Sequence, residues 1–272
     1  MPEGHTIHRV ARRHQKLLRG RRVHASSPQG RFEEGAALID GATLTRTEAW
    51  GKHLFHVYDE EQWLHIHLGL FGKFRDGHGE PPEPRGALRL RLVSPGDDDR
   101  DPSWIELRGP TACELLTRPE VDAILDRLGP DPLRRDVDPE PFLRRVGRSR
   151  ARAGTLLMDQ VVIAGVGNVY RAEVLFRHGV HPDTPGRDVE PATWRAIWDD
   201  LAELMRAGVR SGRIITTEPD DRERRSGRPR RNDAHYVYRR TGLPCRRCGT
   251  PVRTEVLAAR NVFWCPVCQP EA

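Results

Sequence analysis

Apolar and polar positions change period twice along this chain. Ile7, Val10, Ala11, His14, Leu17 and Leu18 recur at helical spacing and predict an opening helix. The period then drops to two. Trp63-Leu64-His65-Ile66-His67-Leu68, residues 87–93 and Trp104-Ile105-Glu106-Leu107 alternate apolar with polar, as strands with one buried face do. Packing two antiparallel sheets together buries such faces. The Gly-, Pro- and Asp-rich stretches 76–85 and 95–102 interrupt the alternation and read as exposed connections.

From residue 119 to 210 the period is helical, with starts at Pro119-Glu120, Asp138-Pro139-Glu140 and Pro191-Ala192-Thr193. Within this part, Ile163-Ala164-Gly165-Val166-Gly167-Asn168-Val169-Tyr170 is a tight glycine turn leading into a predicted amphipathic helix over 171–178. Such a turn presents backbone N–H groups at a helix start, where phosphate binds well. Residues 211–232 are polar, rich in Arg and Gly, and apolar only at Ile214 and Ile215, which predicts a mobile loop or linker. The pattern thus divides the chain into 1–118, 119–232 and 233–272, an α+β multidomain arrangement.

Charge sharpens this picture. Lys and Arg total 45 against 39 for Asp and Glu, a net charge of +6, and arginines concentrate in 206–231 and 239–260. That distribution suits a polyanionic partner, nucleic acid first, with the last quarter of the chain facing phosphates. No apolar run approaches the roughly 18 residues a membrane span needs, and the start Met1-Pro2-Glu3-Gly4-His5 lacks the apolar core of a signal peptide. The expected setting is the cytoplasm, at the nucleoid, with no membrane partner and a monomeric chain.

Cys245-x2-Cys248 and Cys265-x2-Cys268, separated by sixteen residues, have the spacing of two knuckles holding one zinc ion through four thiolates. Four thiolates leave no open coordination position, so the metal is structural: it stabilises a hairpin too small to fold alone. His65 and His67 fall on one face of a strand, but no Asp or Glu cluster near them completes a metal site, so they read as satisfied structural histidines. Cys113 reads as a small buried apolar residue.

Five motifs occur in sequence order: Pro2-Glu3-Gly4; Gly51-Lys52; His67-Leu68-Gly69-Leu70-Phe71-Gly72; the Gly165–Tyr170 turn; and Arg260 ahead of Cys265-Pro266-Val267-Cys268-Gln269. Together they resemble the formamidopyrimidine-DNA glycosylase and endonuclease VIII family, from residue 2 to residue 269, and its actinobacterial endonuclease VIII-like branch above all. The resemblance implies an N-terminal β-sandwich, a helix-two-turn-helix domain and a C-terminal zinc-finger β-hairpin, with damaged double-stranded DNA bound between them. It implies a bifunctional glycosylase and abasic-site lyase of base excision repair.

The residues can be matched to that chemistry. Once Met1 is removed, Pro2 is a free secondary amine, and an α-amino group titrates about two units below lysine, so it can attack C1′ of a damaged nucleotide. By resemblance, Glu3 is the general acid/base, Lys52 contacts the phosphate beside the lesion, and Asn168 and Arg260 clamp the phosphates flanking the extruded nucleotide. Leu70 and Phe71 match the position that fills the emptied stack, and Arg108 and Tyr170 join the DNA-binding set. The chain departs from the formamidopyrimidine branch at Leu107-Arg108-Gly109-Pro110, where that branch has an Arg-Arg-Phe-Gly turn. The missing aromatic, with Gly4 after Pro2-Glu3, favours oxidised pyrimidines. Two alternatives stand beside this reading: a catalytically inactive DNA- or abasic-site-binding module of the same fold, and a zinc-ribbon protein that contacts other proteins.

Overall fold

The computed structural model describes residues 2–59, 61–97, 100–227 and 229–271. Met1, whose removal the proline reading requires, lies outside the described residues. Contacts divide the chain into two units, Met1–Arg127 and Leu128–Ala272.

The first unit contains α1 (Gly4–Leu18), β1 (Arg21–Arg22), β2 (His24–Ser26), α2 (Glu33–Ile39), β3 (Thr43–Trp50), β4 (His53–Tyr58), β5 (Gln62–His67), β6 (Lys73–His78), β7 (Leu88–Ser94), β8 (Ser103–Arg108), β9 (Ala112–Leu116) and α3 (Arg118–Leu125). Its strands form two antiparallel sheets, in the orders β1-β3-β4-β5-β9 and β2-β7-β8-β6. The core joins Leu44, Leu54, Leu64 and Ile66 of the first sheet with Leu90, Leu92, Ile105 and Leu107 of the second, and α1 adds Ile7, Ala11 and Leu18. The predicted pair of sheets is therefore present, built on the predicted alternation.

Strand β5 differs from the expectation of one buried face, because Trp63, Leu64, His65 and Ile66 are all buried. Helix α3 is the reason: Val121 packs against Phe55, Val57 and Trp63 on the side of the sheet away from the main core. The helix starts at a capping box in which Thr117 and Glu120 satisfy each other, with Pro119 in the first turn. Strand β6 also runs further than composition suggests, through Asp76-Gly77-His78. Gly77 belongs there because a Cβ at that position would meet the Trp104 ring at 2.8 Å.

The second unit contains α4 (Glu140–Gly147), α5 (Ala153–Leu156), α6 (Asn168–Arg177), α7 (Pro191–Ser211), β10 (Arg253–Leu257) and β11 (Arg260–Trp264). Helix α6 begins at Asn168, three residues before the predicted start, and is not amphipathic. Its Tyr170, Val174 and Leu175 join Phe142, Trp194, Ile197 and Leu201 in the helical core. Ala172 and Phe176 pack instead with Tyr236, Val237, Phe263 and Cys265. A helix lying between two apolar clusters carries apolar residues on both sides.

Segment 211–232, expected to be a mobile linker, is instead tied down at several points. It contains the single turns Pro219–Asp221 and Arg231–Asp233. Thr217 Oγ1 donates to the Asp233 carbonyl at 2.6 Å, Arg222 Nε donates to Thr217 Oγ1 at 2.9 Å, and Tyr236 Oη donates to Asp221 at 2.6 Å. Among the described residues, no helix is long and apolar enough to cross a membrane.

Candidate functional site

Pro2 leads directly into α1, and Glu3 is its N-cap, with an extended backbone (φ −117°, ψ 174°). The Glu3 carbonyl accepts the first turn's N–H groups, from Thr6 at 2.8 Å and Ile7 at 3.4 Å. Pro2 is half-buried, and the whole of Glu3 is buried at the positive end of the helix. Lys52 follows Gly51 in the two-residue turn between β3 and β4, closed by the Trp50–His53 pair, and is half-buried.

Leu70 and Phe71 occupy the connection from β5 to β6. The Gly72 N–H donates to the Leu68 carbonyl at 2.9 Å, closing a tight loop. Gly72 is required there: a Cβ would sit 2.3 Å from the Leu68 oxygen. The loop pushes both apolar side chains outward, leaving Leu70 55% and Phe71 85% exposed. Two neighbouring apolar side chains left exposed together make an apolar patch of the kind that marks a contact surface.

Arg108 ends β8 and is held by an acid that the sequence reading did not single out. Glu106 is fully buried and receives Arg108 Nη2 at 2.8 Å and the guanidinium of Arg91. Burial pushes the Glu106 pKa up, but its hydrogen bonds to Arg91 and Arg108 outweigh burial and leave it below the ordinary carboxylate value. The signal available in the sequence was a Glu in the middle of the strand Trp104-Ile105-Glu106-Leu107, flanked by apolar residues.

Strands β4, β5 and β9 bring together His53, His65 and Glu114. His65 Nδ1 lies 2.9 Å from Glu114 Oε1, and His65 Nε2 lies 2.9 Å from His53 Nδ1. Glu114 pairs directly across from His65 on β9, a single acid and not the cluster that a metal site would need. Sequence separation hid this neighbour. His65 is nevertheless a satisfied histidine, and among the described residues only the cysteine cluster could hold a metal ion.

In the second unit, the glycine turn delivers Asn168 as the first residue of α6. Asn168 Nδ2 donates to the Asn261 carbonyl at 3.0 Å, and Arg171 Nη2 donates to the same oxygen at 3.1 Å. Arg171, one helical turn beyond Asn168, also hydrogen-bonds the Asn168 side chain. Two predicted site residues, Asn168 and Arg260, are thus adjacent, since Arg260 is the residue before Asn261 and opens β11. The Tyr170 side chain is fully buried in the helical core. It is not a surface contact, and only its backbone lies at the helix start.

Glu173 is a further buried acid that sequence reasoning missed. It accepts the N–H groups of Tyr236 at 2.7 Å, Val237 at 2.9 Å and Tyr238 at 2.7 Å. This carboxylate fixes the chain just ahead of the cysteine-bearing hairpin to α6.

The four predicted cysteine sulfurs all lie within 4.8 Å of one another. Cys245 and Cys268 Sγ are 3.8 Å apart, and Cys248 and Cys265 Sγ are 3.4 Å apart. A tetrahedral zinc with Zn–S bonds of about 2.3 Å separates its sulfurs by about 3.8 Å, so the cluster fits one structural zinc ion. The hairpin turn is unusual: Ala258 (φ 51°) and Ala259 (φ 58°) both adopt left-handed backbone immediately before Arg260.

Family models match nearly the whole chain. The formamidopyrimidine-DNA glycosylase N-terminal domain matches residues 1–110, the formamidopyrimidine-DNA glycosylase H2TH domain matches 128–220, and the zinc finger found in FPG and IleRS matches 242–270. Endonuclease 8 1 of Mycobacterium tuberculosis (strain ATCC 25618 / H37Rv) is 50% identical over 276 residues, covering 99% of this chain and 100% of the relative. The formamidopyrimidine-DNA glycosylase of Acidothermus cellulolyticus is 34% identical, covering 99% of this chain and 96% of its own. The fold matches Lactococcus lactis Fpg solved in complex with abasic-site DNA, with a TM-score of 0.80 at 22% identity, covering 99% of this chain and 100% of the other.

Proposed function

The chain belongs to the formamidopyrimidine-DNA glycosylase and endonuclease VIII family, and we propose that it is a bifunctional glycosylase and abasic-site lyase whose nucleophile is Pro2. It is a DNA glycosylase of base excision repair with a structural zinc finger. The observation that carries the finer reading is the placement of Glu3, a fully buried carboxyl group adjoining the Pro2 amine at the start of α1.

The Pro2 nitrogen, free once Met1 is cleaved, attacks C1′ of the damaged nucleotide, and the bond from C1′ to the base breaks. Glu3 protonates the opening sugar ring and later takes a proton back, and the resulting Schiff base permits elimination of the 3′ phosphate. Lys52 holds the phosphate beside the lesion. Asn168 and Arg260, with the backbone at Tyr170, hold the flanking phosphates, and contacts of that kind fix the duplex without reading its sequence. Leu70 and Phe71 fill the space the flipped base leaves, and Arg108 assists on the same side.

Oxidised pyrimidines are the favoured substrates. The chain lacks an aromatic residue at Arg108-Gly109-Pro110, and its 50%-identical relative is named an endonuclease 8. The protein acts as a monomer on damaged duplex DNA in the cytoplasm, at the nucleoid.

The test uses protein confirmed by mass to lack Met1, mixed with abasic-site duplex and sodium borohydride. The expected result is a covalent adduct that maps to Pro2. Tight binding without an adduct would replace this reading with a DNA-binding module that does no chemistry.

A further inference from the structure

The Arg171 side chain is fully buried, and its guanidinium meets oxygens from three elements of the second unit. Nη1 donates to the Gly154 carbonyl in α5 at 3.2 Å, while Nη2 donates to the Asn168 side-chain oxygen in α6 and, at 3.1 Å, to the Asn261 carbonyl in β11. A guanidinium only donates, and a backbone carbonyl only accepts. Between them they orient the Asn168 amide: Oδ1 faces Arg171, and Nδ2 donates to the Asn261 carbonyl at 3.0 Å. The two side chains thereby close a ring of hydrogen bonds on one carbonyl oxygen. Among the described residues the second Asn168 N–H meets no acceptor, so it remains a donor for an incoming oxygen.

The carbonyl held in this ring is one residue beyond Arg260. The opposite strand of the hairpin is fixed at the same place: Leu257, the partner of Arg260 in the ladder, packs so closely on Gly154 that a Cβ there would lie 2.9 Å from its Cδ2. Gly154 therefore touches the hairpin through its Cα and Arg171 through its carbonyl. Asn168 on α6 and Arg260 on β11 are far apart in sequence, and one guanidinium ties together the backbone and side-chain groups beside both.

We propose that Arg171 is a positioning residue that fixes Asn168 and Arg260 relative to each other, so that both reach the DNA backbone together. This rests on the reading that those two side chains hold the phosphates flanking the extruded nucleotide. The role needs the planar fork and not the charge alone, because a lysine ammonium donates from a single atom and cannot span oxygens on α5, α6 and β11 at once.

The test titrates zinc-loaded Arg171→Lys and Arg171→Met with a duplex carrying an uncleavable abasic analogue, over a range of salt concentrations. Zinc content and thermal unfolding check that each variant is folded. Both are expected to lose about tenfold in affinity, the scale of one charge-assisted hydrogen bond. The slope of log affinity against log salt should fall by about one in each, as it should in Arg260→Ala, because one charged phosphate contact is lost. Asn168 carries no charge and does not enter that slope. Added to Arg260→Ala, Arg171→Met should therefore leave the slope unchanged. An arginine that only stabilised the fold would lower the melting temperature and leave the slope alone. The unaltered protein gives a reading that needs no variant: proton–nitrogen spectra should show the Arg171 Nη protons exchanging slowly with water in the free protein and in the complex.

Four results would overturn the proposal: full affinity in Arg171→Lys, an unchanged salt slope in both folded variants, a further fall in slope when Arg171→Met joins Arg260→Ala, or Arg171 Nη protons that exchange freely. Failure of the phosphate reading looks different. Asn168→Ala and Arg260→Ala would then bind the duplex as tightly as the unaltered protein does.

Discussion

Asn168 is hydrogen-bonded to the backbone of Asn261: its side-chain amide donates to that carbonyl at 3.0 Å, and Arg171 donates to the same oxygen at 3.1 Å. The first turn of α6 therefore grips the hairpin one residue beyond Arg260. A residue proposed as a phosphate clamp is also the latch for its neighbouring clamp.

Asn168→Ala separates these two roles. Arg171 still satisfies the Asn261 carbonyl, so loss of fold stability should stay near 0.5–1.5 kcal/mol, the net worth of one hydrogen bond. DNA affinity should fall tenfold or more, on the order of one lost charge-assisted contact plus a loosened Arg260. Equilibrium unfolding and fluorescence anisotropy read the two quantities. A variant that loses stability but keeps its affinity would reduce Asn168 to a latch alone.

The pairing of Glu106 with Arg91 and Arg108 predicts a pH-dependent stability. Because the folded pKa of Glu106 lies below its ordinary value, the stabilisation is fully present above the carboxylate range and fades as pH falls through the folded pKa. Glu106→Ala strands two arginines, at a cost of about 3–5 kcal/mol at pH 7. Denaturant unfolding should show the gap between the two proteins narrowing in acid. Arg108→Ala should lose stability as well as DNA affinity. An Arg108 that only touched DNA would lose affinity alone.

Zinc removal makes a sharper prediction, because the cysteines are chemically unequal. Chelation should release four thiols to a colorimetric reagent and abolish DNA binding, since the hairpin that carries Arg260 depends on the metal. The fifth thiol, Cys113, expected to be buried, is half-buried on β9; because desolvation still pushes its pKa up to about 12, it should react more slowly than the four zinc thiols. Five thiols reacting together under chelation alone would contradict the separation of the zinc unit from the sandwich.

Much of this architecture was legible because local chemistry decided it. The cysteine spacing fixed the zinc site, and the alternation of 87–93 and 104–107 fixed two of the strands. The Gly165–Tyr170 motif announced the start of α6, although it gave no sign that the helix would be buried on both sides. What stayed hidden depended on partners far along the chain: Glu114 beside His65, Glu173 beneath Tyr236, and Glu106 between two arginines. A single charged residue carries no mark of its future burial, since its compensating partner is set by sheet register and helix packing. Tyr170 shows the converse. A motif assigned it to the binding set, but its side chain belongs to the core.

The Ala258–Ala259 turn stores backbone strain. Both residues occupy left-handed conformations, which cost an L-residue roughly 1–2 kcal/mol each. Two-residue hairpin turns of this kind favour Asn-Gly. The double substitution Ala258→Asn, Ala259→Gly should raise the melting temperature of the zinc-loaded protein and leave DNA affinity unchanged, since Arg260 keeps its place in β11. Reduced affinity at higher stability would show that strain in this turn serves binding.

The exposed pair in the β5–β6 loop yields the most direct test of base extrusion. Phe71 is 85% and Leu70 is 55% exposed, so truncating Phe71 removes almost nothing from the folded core and should change stability by less than about 0.5 kcal/mol. If the ring enters the stack once a nucleotide has left, its burial contributes about 1.5–3 kcal/mol in the complex, roughly ten- to hundredfold in affinity. That contribution exists only where a base is displaced. Phe71→Ala should therefore weaken binding to abasic or lesion duplex far more than to intact duplex, and Leu70→Ala should do so to a lesser degree. Gly72→Ala supplies the contrast, because its Cβ would press on the Leu68 carbonyl at 2.3 Å and deform the loop while sparing the ring itself. Equal losses for damaged and intact DNA in Phe71→Ala would make the ring a general surface contact and end its assignment as the wedge.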